Sequence, residues 1–193
     1  MKKLILGTVL ITTGLFSFSK AQIQKGNWMV GGNIISSEFG LNTGGAYNFS
    51  LQPKAAYFVD DNLAIGGLVT FGFSGSKDSS TKYTYNIGAL GRYYFNNDQV
   101  DNLLKHGRFF VEGNLGIGGT SFTKGGNSTT GLNLGVGPGY AYFITPNVAI
   151  EGLVKYNGDF GFGNNGTTSN IGFNVGFQIY LPTSKVKKIT RGE

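Results

Sequence analysis

Six charged residues interrupt stretches that are otherwise aromatic, aliphatic and glycine-rich: Lys54, Arg92, Arg108, Glu112, Glu151 and Lys155. Three chemistries suit them. Glu112 and Glu151 are the residue type that a glycosidase pairs as acid and base, although nothing else points to a sugar substrate. Lys54, Arg92 and Lys155 facing these two glutamates would suit a gate or a selectivity constriction. The same five would also form a mutually satisfied network filling a closed interior, since a buried charge needs a partner. Other motifs carry less. His106 is the single histidine and there is no cysteine, so metal-ligand spacing is absent. Gly161 to Gly166 matches G-x-G-x-x-G, but no helix pattern follows to hold a phosphate at its N-terminus. Asp60-Asp61-Asn62 reads as a turn before it reads as a cation site.

The elements that carry these charges alternate with period two, the mark of a strand with unlike faces. Tyr47, Phe49, Leu51, Pro53, Ala55 and Tyr57 oppose Asn48, Ser50, Gln52 and Lys54. Tyr83, Tyr85, Ile87, Ala89, Tyr93 and Phe95 oppose Thr84, Asn86, Gly88 and Arg92. Comparable runs occur at 63–73, 109–118, 132–142, 148–156 and 171–179, and a weaker first strand spans about Asn27 to Ile35. That predicts eight strands of about 9–13 residues, enough to cross a bilayer at a tilt.

Residues 56–71 align with 141–156, nine of sixteen positions being identical, at an offset of 85. Eight strand-plus-connection units in the 172 residues after the leader average about 21.5 residues, so the offset is about four units. One hairpin therefore recurs four strands later. Tight turns at Phe58–Asn62 and Ile144–Asn147, and a longer Asn96–Gly107 connection with room for a helical turn, alternate with polar loops at Ser36–Gly44, Ser74–Lys82, Phe122–Thr130 and Asn157–Ser169. This alternation suits an up-and-down membrane barrel with periplasmic turns and external loops.

Residues 1–21 read as a cleaved signal peptide. Lys2 and Lys3 precede an apolar run from Leu4 to Phe18, and Ser19-Lys20-Ala21 offers small residues before Gln22. The run is too short for a spanning helix. Losing Lys2, Lys3 and Lys20 takes the formal net charge from +6 to +3, and much of the rest lies in a tail at Lys185, Lys187, Lys188 and Arg191. The basic pI is thus no sign of a nucleic-acid surface. Charged residues make up only 13% of the chain, about half the usual soluble share.

All six strand charges lie on the phase opposite the aromatic and aliphatic residues. In a soluble barrel that charged phase faces out. In a lipid-embedded one it faces in, because Lys or Arg on the lipid face costs about 2–4 kcal/mol at mid-membrane. Glycine on the polar phase suits a narrow interior. Tyr and Phe near strand ends suit interfacial girdles. These features favour one closed all-β barrel: eight antiparallel up-and-down transmembrane strands over residues 22–182, with a basic periplasmic tail at 183–193.

The leader, the Gly-rich aromatic strands and the repeated "AYF…N-[LV]-A-I-x-G-L-V" hairpin resemble the small outer-membrane β-barrel family that includes OmpA- and OmpX-like porin-fold proteins, in a Bacteroidetes-like Asn/Gly/Phe-rich style. The resemblance implies a location in a Gram-negative outer membrane, contact with membrane lipid and lipopolysaccharide, and passage through the barrel-assembly machinery. Barrel hydrolases of this kind place a histidine at the outer rim, whereas His106 falls in a predicted periplasmic turn, so no enzymatic activity and no cofactor are expected. Such barrels usually end on an aromatic residue; here Tyr180-Leu181-Pro182 precedes the tail. The leading expectation is a structural or surface-interaction barrel whose charges are a satisfied network, since eight strands barely enclose their own side chains. Alternatives are a narrow porin or carrier for small solutes, and a soluble exported ligand-binding barrel. Phe160 and Phe162 are the candidate external-loop contacts; the external ligand is left open.

Overall fold

The computed structural model describes residues 23–39, 47–76, 80–95, 107–123, 128–162, 166–183 and 186. Eight strands follow in chain order: β1 (Asn27–Phe39), β2 (Tyr47–Asp60), β3 (Leu63–Gly75), β4 (Lys82–Tyr94), β5 (Gly107–Phe122), β6 (Thr129–Thr145), β7 (Val148–Gly161) and β8 (Thr167–Pro182). Each pairs antiparallel with its sequence neighbour, and β1 closes on β8 from Asn27↔Pro182 to Ile34↔Val175. Closure leaves no strand edge, the condition for backbone to lie in hydrocarbon.

The charged phase points inward. Lys54, Arg92, Glu112, Glu151 and Lys155 are all buried, while Ile87 is 67% exposed and Ile171 is 75% exposed on the outer wall. A soluble ligand-binding barrel requires the opposite orientation, so the structure sets that alternative aside. The outer wall is banded. Trp28–Tyr57, Tyr93–Phe95 and Phe109–Tyr140 are in ring contact towards the turn end. Phe49 and Tyr47 meet Phe73 towards the loop end. Exposed residues such as Ile87, Leu115, Leu134 and Val136 lie between. Two aromatic belts around an apolar band match the two interfaces and the hydrocarbon of a bilayer.

Strands run to 13–17 residues, longer than the expected 9–13 and longer than the roughly 9–11 needed to cross. The excess comes from segments read as loops. Backbone pairing does not depend on side-chain polarity, and a lumen-facing phase tolerates Thr, Asn and Ser. Hence β7 continues through Gly161 and β8 begins at Thr167, shortening the predicted Asn157–Ser169 loop. Residues 96–106, including the proposed helical turn and His106, lie outside the described residues.

The internal repeat is structural. The β2–β3 and β6–β7 hairpins shift register at equivalent places, Phe58/Asp60 and Phe143/Thr145. The extra residue re-aims each strand end. Four strands apart in a ring of eight, the hairpins face each other, and both send Ala, Phe, Ala and Leu inward: Ala56, Phe58, Ala64, Leu68 and Ala141, Phe143, Ala149, Leu153. At the first turn Asn62 has φ 67°, a conformation that Asn tolerates better than most residues. Its carbonyl accepts from Tyr94 N, and its own N–H donates to Ile23 O. The segment before β1 is thereby stitched over the turn end. Thr183, just past β8, donates to Gly26 O.

Candidate functional site in the barrel lumen

The five predicted lumen charges come from four strands, β2, β4, β5 and β7, and meet as one cluster. Antiparallel pairing puts Arg92 of β4 directly beside Glu112 of β5. The remaining partners reach across the barrel from β2 and β7. Arg92 donates from Nε and Nη2 to Glu112 Oε2 at 3.1 and 2.5 Å. It also forks onto Glu151, with Nη1 to Oε2 at 2.5 Å and Nη2 to Oε1 at 2.9 Å. Lys54 Nζ lies 2.9 Å from Glu112 Oε2 and 3.1 Å from Glu151 Oε1. Lys155 Nζ donates to Glu112 Oε1 at 2.9 Å. Gln178 adds a bond to Glu151 Oε1 at 2.8 Å. Bidentate, charge-assisted bonds of this kind are what a desolvated ion cluster needs to offset its desolvation. Arg108, the sixth charge expected in the strands from the sequence, is half-buried near the turn end, away from the cluster.

Glycine makes the space. A Cβ on Gly176 would run into Asn33 Oδ1 and the Glu151 side chain, and one on Gly139 would enter the Phe110 ring. The polar phase is therefore glycine-rich because bulky neighbours on adjacent strands occupy the lumen.

Below the cluster, towards the turn end, lies an aromatic plug that the sequence pattern did not reveal. Tyr94 and Tyr180, from opposite walls, bring their hydroxyls to 2.7 Å. Phe58, Phe143 and Phe110 pack around them with ring centroids 5.2–6.3 Å away. Arg92 joins the two layers: Nη1 donates to Tyr94 Oη at 3.0 Å, and Cζ sits 3.9 Å from the Phe110 ring centroid, within cation–π range. The signal available was subtle. These rings fall on the charged phase rather than the aromatic one, and Phe58 and Phe143 occupy matching positions of the repeat. Tyr180 belongs to this plug, facing the lumen.

Above the cluster, towards the loop end, is a cavity of about 570 Å³ walled mainly by Thr, Asn and Gly residues. Phe160 and Phe162 take no part in the cluster. Phe160 lies within β7, paired with Leu132 and Thr167 on the outward phase. Phe162 follows β7, its N–H bonded to Thr130 O. Both are exposed at the outer wall near the strand tips. Among the described residues no group of three or more His, Cys, Asp or Glu is placed to hold a metal.

No protein-family model and no curated protein matches this sequence. Solved structures do. Neisserial surface protein A (NspA) superposes with a TM-score of 0.55 at 21% identity, over 81% of this chain and 96% of that one. The N-terminal β-barrel domain of Pseudomonas aeruginosa OprF gives 0.48 at 12% identity, over 81% and 98%. The outer membrane protein OprG from Pseudomonas aeruginosa gives 0.48 at 12% identity, over 86% and 99%. With closure, strand count and inverted polarity already established, the chain has the fold of the small eight-stranded outer-membrane β-barrels.

Proposed function

We propose that this chain is an outer-membrane barrel with a structural or surface-interaction role, and that its lumen does not conduct. On this reading residues 1–21 direct export and are removed. The barrel then inserts through the assembly machinery, the outer wall contacts lipid and lipopolysaccharide, and residues 183–193 remain in the periplasm. One observation carries the proposal: the lumen is blocked at two successive levels. The side chains of Arg92, Glu112 and Glu151 have no exposure, and the Phe58, Tyr94, Phe110 and Tyr180 layer beneath them is equally buried. A narrow pore or carrier needs a continuous water path past Arg92 and Glu112. Opening one would mean breaking bidentate ion pairs and also displacing a packed aromatic layer.

The test is single-channel recording of the refolded mature barrel in a planar bilayer, beside a Glu112→Gln/Glu151→Gln variant. The expected result is a heat-modifiable, inserted barrel that stays silent. Discrete steps whose size or ion selectivity changes in the variant would overturn the proposal and make the charges a gate.

A further inference from the structure

The charge cluster is unbalanced, and its excess faces the loop-end cavity. Lys54, Arg92 and Lys155 supply three positive charges against two from Glu112 and Glu151. Of these five residues only Lys155 lines the cavity; both carboxylates lie beneath it. Lys155 is 2% exposed and its ammonium donates to Glu112 Oε1, while an ammonium carries three donors. Nearer the strand tips the lining carries one further charge of each sign, Lys82 and Asp159, so among the described residues the net charge of the cavity is set by its floor.

The walls add a second feature. Gln52 gives its amide nitrogen to Thr70 at 3.0 Å while its Oε1 has no partner, and Asn174 Oδ1 is likewise unpartnered. Both residues line the cavity and are more than nine-tenths buried. Exchanging oxygen and nitrogen on Gln52 would still leave one end of its amide free. Thr70, Thr84, Asn86 and Asn157 add hydroxyl and amide groups to the same lining. An ammonium floor under neutral hydrogen-bonding walls suits a ligand with one charged end and several hydroxyls.

We propose that this cavity is a binding recess for a small polyhydroxylated anion, a carboxylate or phosphate ester of a sugar-like molecule, with Lys155 as the anion contact. Its volume falls in the range of small-molecule sites. Residues of β2 to β8 line it inside the barrel, so the occupant is a free solute and not a lipid headgroup held at the outer surface. The recess is independent of the silent-barrel proposal, because binding at the floor requires no passage beyond it.

The test is calorimetric titration of the full mature barrel, refolded in a zwitterionic detergent, with gluconate, glucose and acetate. Gluconate should bind at least tenfold more tightly than glucose, which has the hydroxyls without the charge, and than acetate, which has the charge without the hydroxyls. Lys155→Met should lower gluconate affinity at least tenfold. The barrel should still fold, since Lys54, Arg92, Glu112 and Glu151 then balance two against two. If that variant fails to fold, Asn157→Ala supplies the second arm and should weaken gluconate several-fold. No heat from gluconate at millimolar concentration would overturn the proposal. Equal affinities for gluconate and glucose, or an unchanged affinity in whichever variant folds, would overturn it as well.

Discussion

Glu112→Gln is the most informative single perturbation of this barrel. Glu112 accepts from Lys54, twice from Arg92, and from Lys155. Replacing it with an isosteric amide removes the charge at almost constant volume and leaves three buried cations facing Glu151 alone. Removing one partner from a buried ion pair costs about 3–5 kcal/mol, because the remaining charge is left uncompensated in a low-dielectric interior. That corresponds to roughly two to almost four powers of ten in the folding constant. The chain has one tryptophan, Trp28, packed on Tyr57 at 5.3 Å on the outer wall. Its emission therefore reports insertion during urea-dependent unfolding from lipid vesicles, with heat-modifiable gel mobility as a second probe. A Lys155→Met substitution made in the Glu112→Gln background should restore part of the loss, since it removes one of the stranded cations; a coupling of about 1 kcal/mol or more is expected for groups in direct contact. A destabilisation below about 1 kcal/mol for Glu112→Gln would refute the reasoning, for it would mean that water already solvates the cluster and that the lumen is not sealed at this level.

Two further substitutions probe the outer wall and the plug. Ile87→Arg, mid-strand on the outer face between Val69 and Ile117, should cost about 2–4 kcal/mol in vesicle-embedded barrel, measured by the same urea titration; a neutral result would mean that this face does not meet lipid. Tyr94→Phe should destabilise more than Tyr180→Phe, because the Tyr94 oxygen also accepts from Arg92 and its loss leaves a charged donor unpaired, at about 1–3 kcal/mol. The double variant should cost less than the two singles added, since both lose the shared hydroxyl bond.

Much of this barrel is legible in the chain because strand geometry has a period of two and the lipid face tolerates no charge. Alternation gave eight strands, and the common phase of Lys54, Arg92, Glu112, Glu151 and Lys155 marked the face that must turn inward. The repeat marked two equivalent hairpins, at residues 56–71 and 141–156. Strand ends were misplaced at Asn157–Ser169 and Ser36–Gly44, since polar residues facing the lumen have the same composition as loop residues.

Tertiary structure decided what meets what across the lumen. Arg92 and Glu112 are neighbours on paired strands, but Arg92 reaches Glu151 only because barrel closure brings β4 opposite the β7–β8 wall, and no spacing in the chain encodes that distance. The same closure brings Tyr94 to Tyr180 and seats Phe58 and Phe143 beside them. It also leaves Lys155, alone of the five charges, facing the cavity. Alternation specifies which way a side chain points; only register and closure specify what stands opposite it, because those contacts join residues dozens to more than a hundred positions apart.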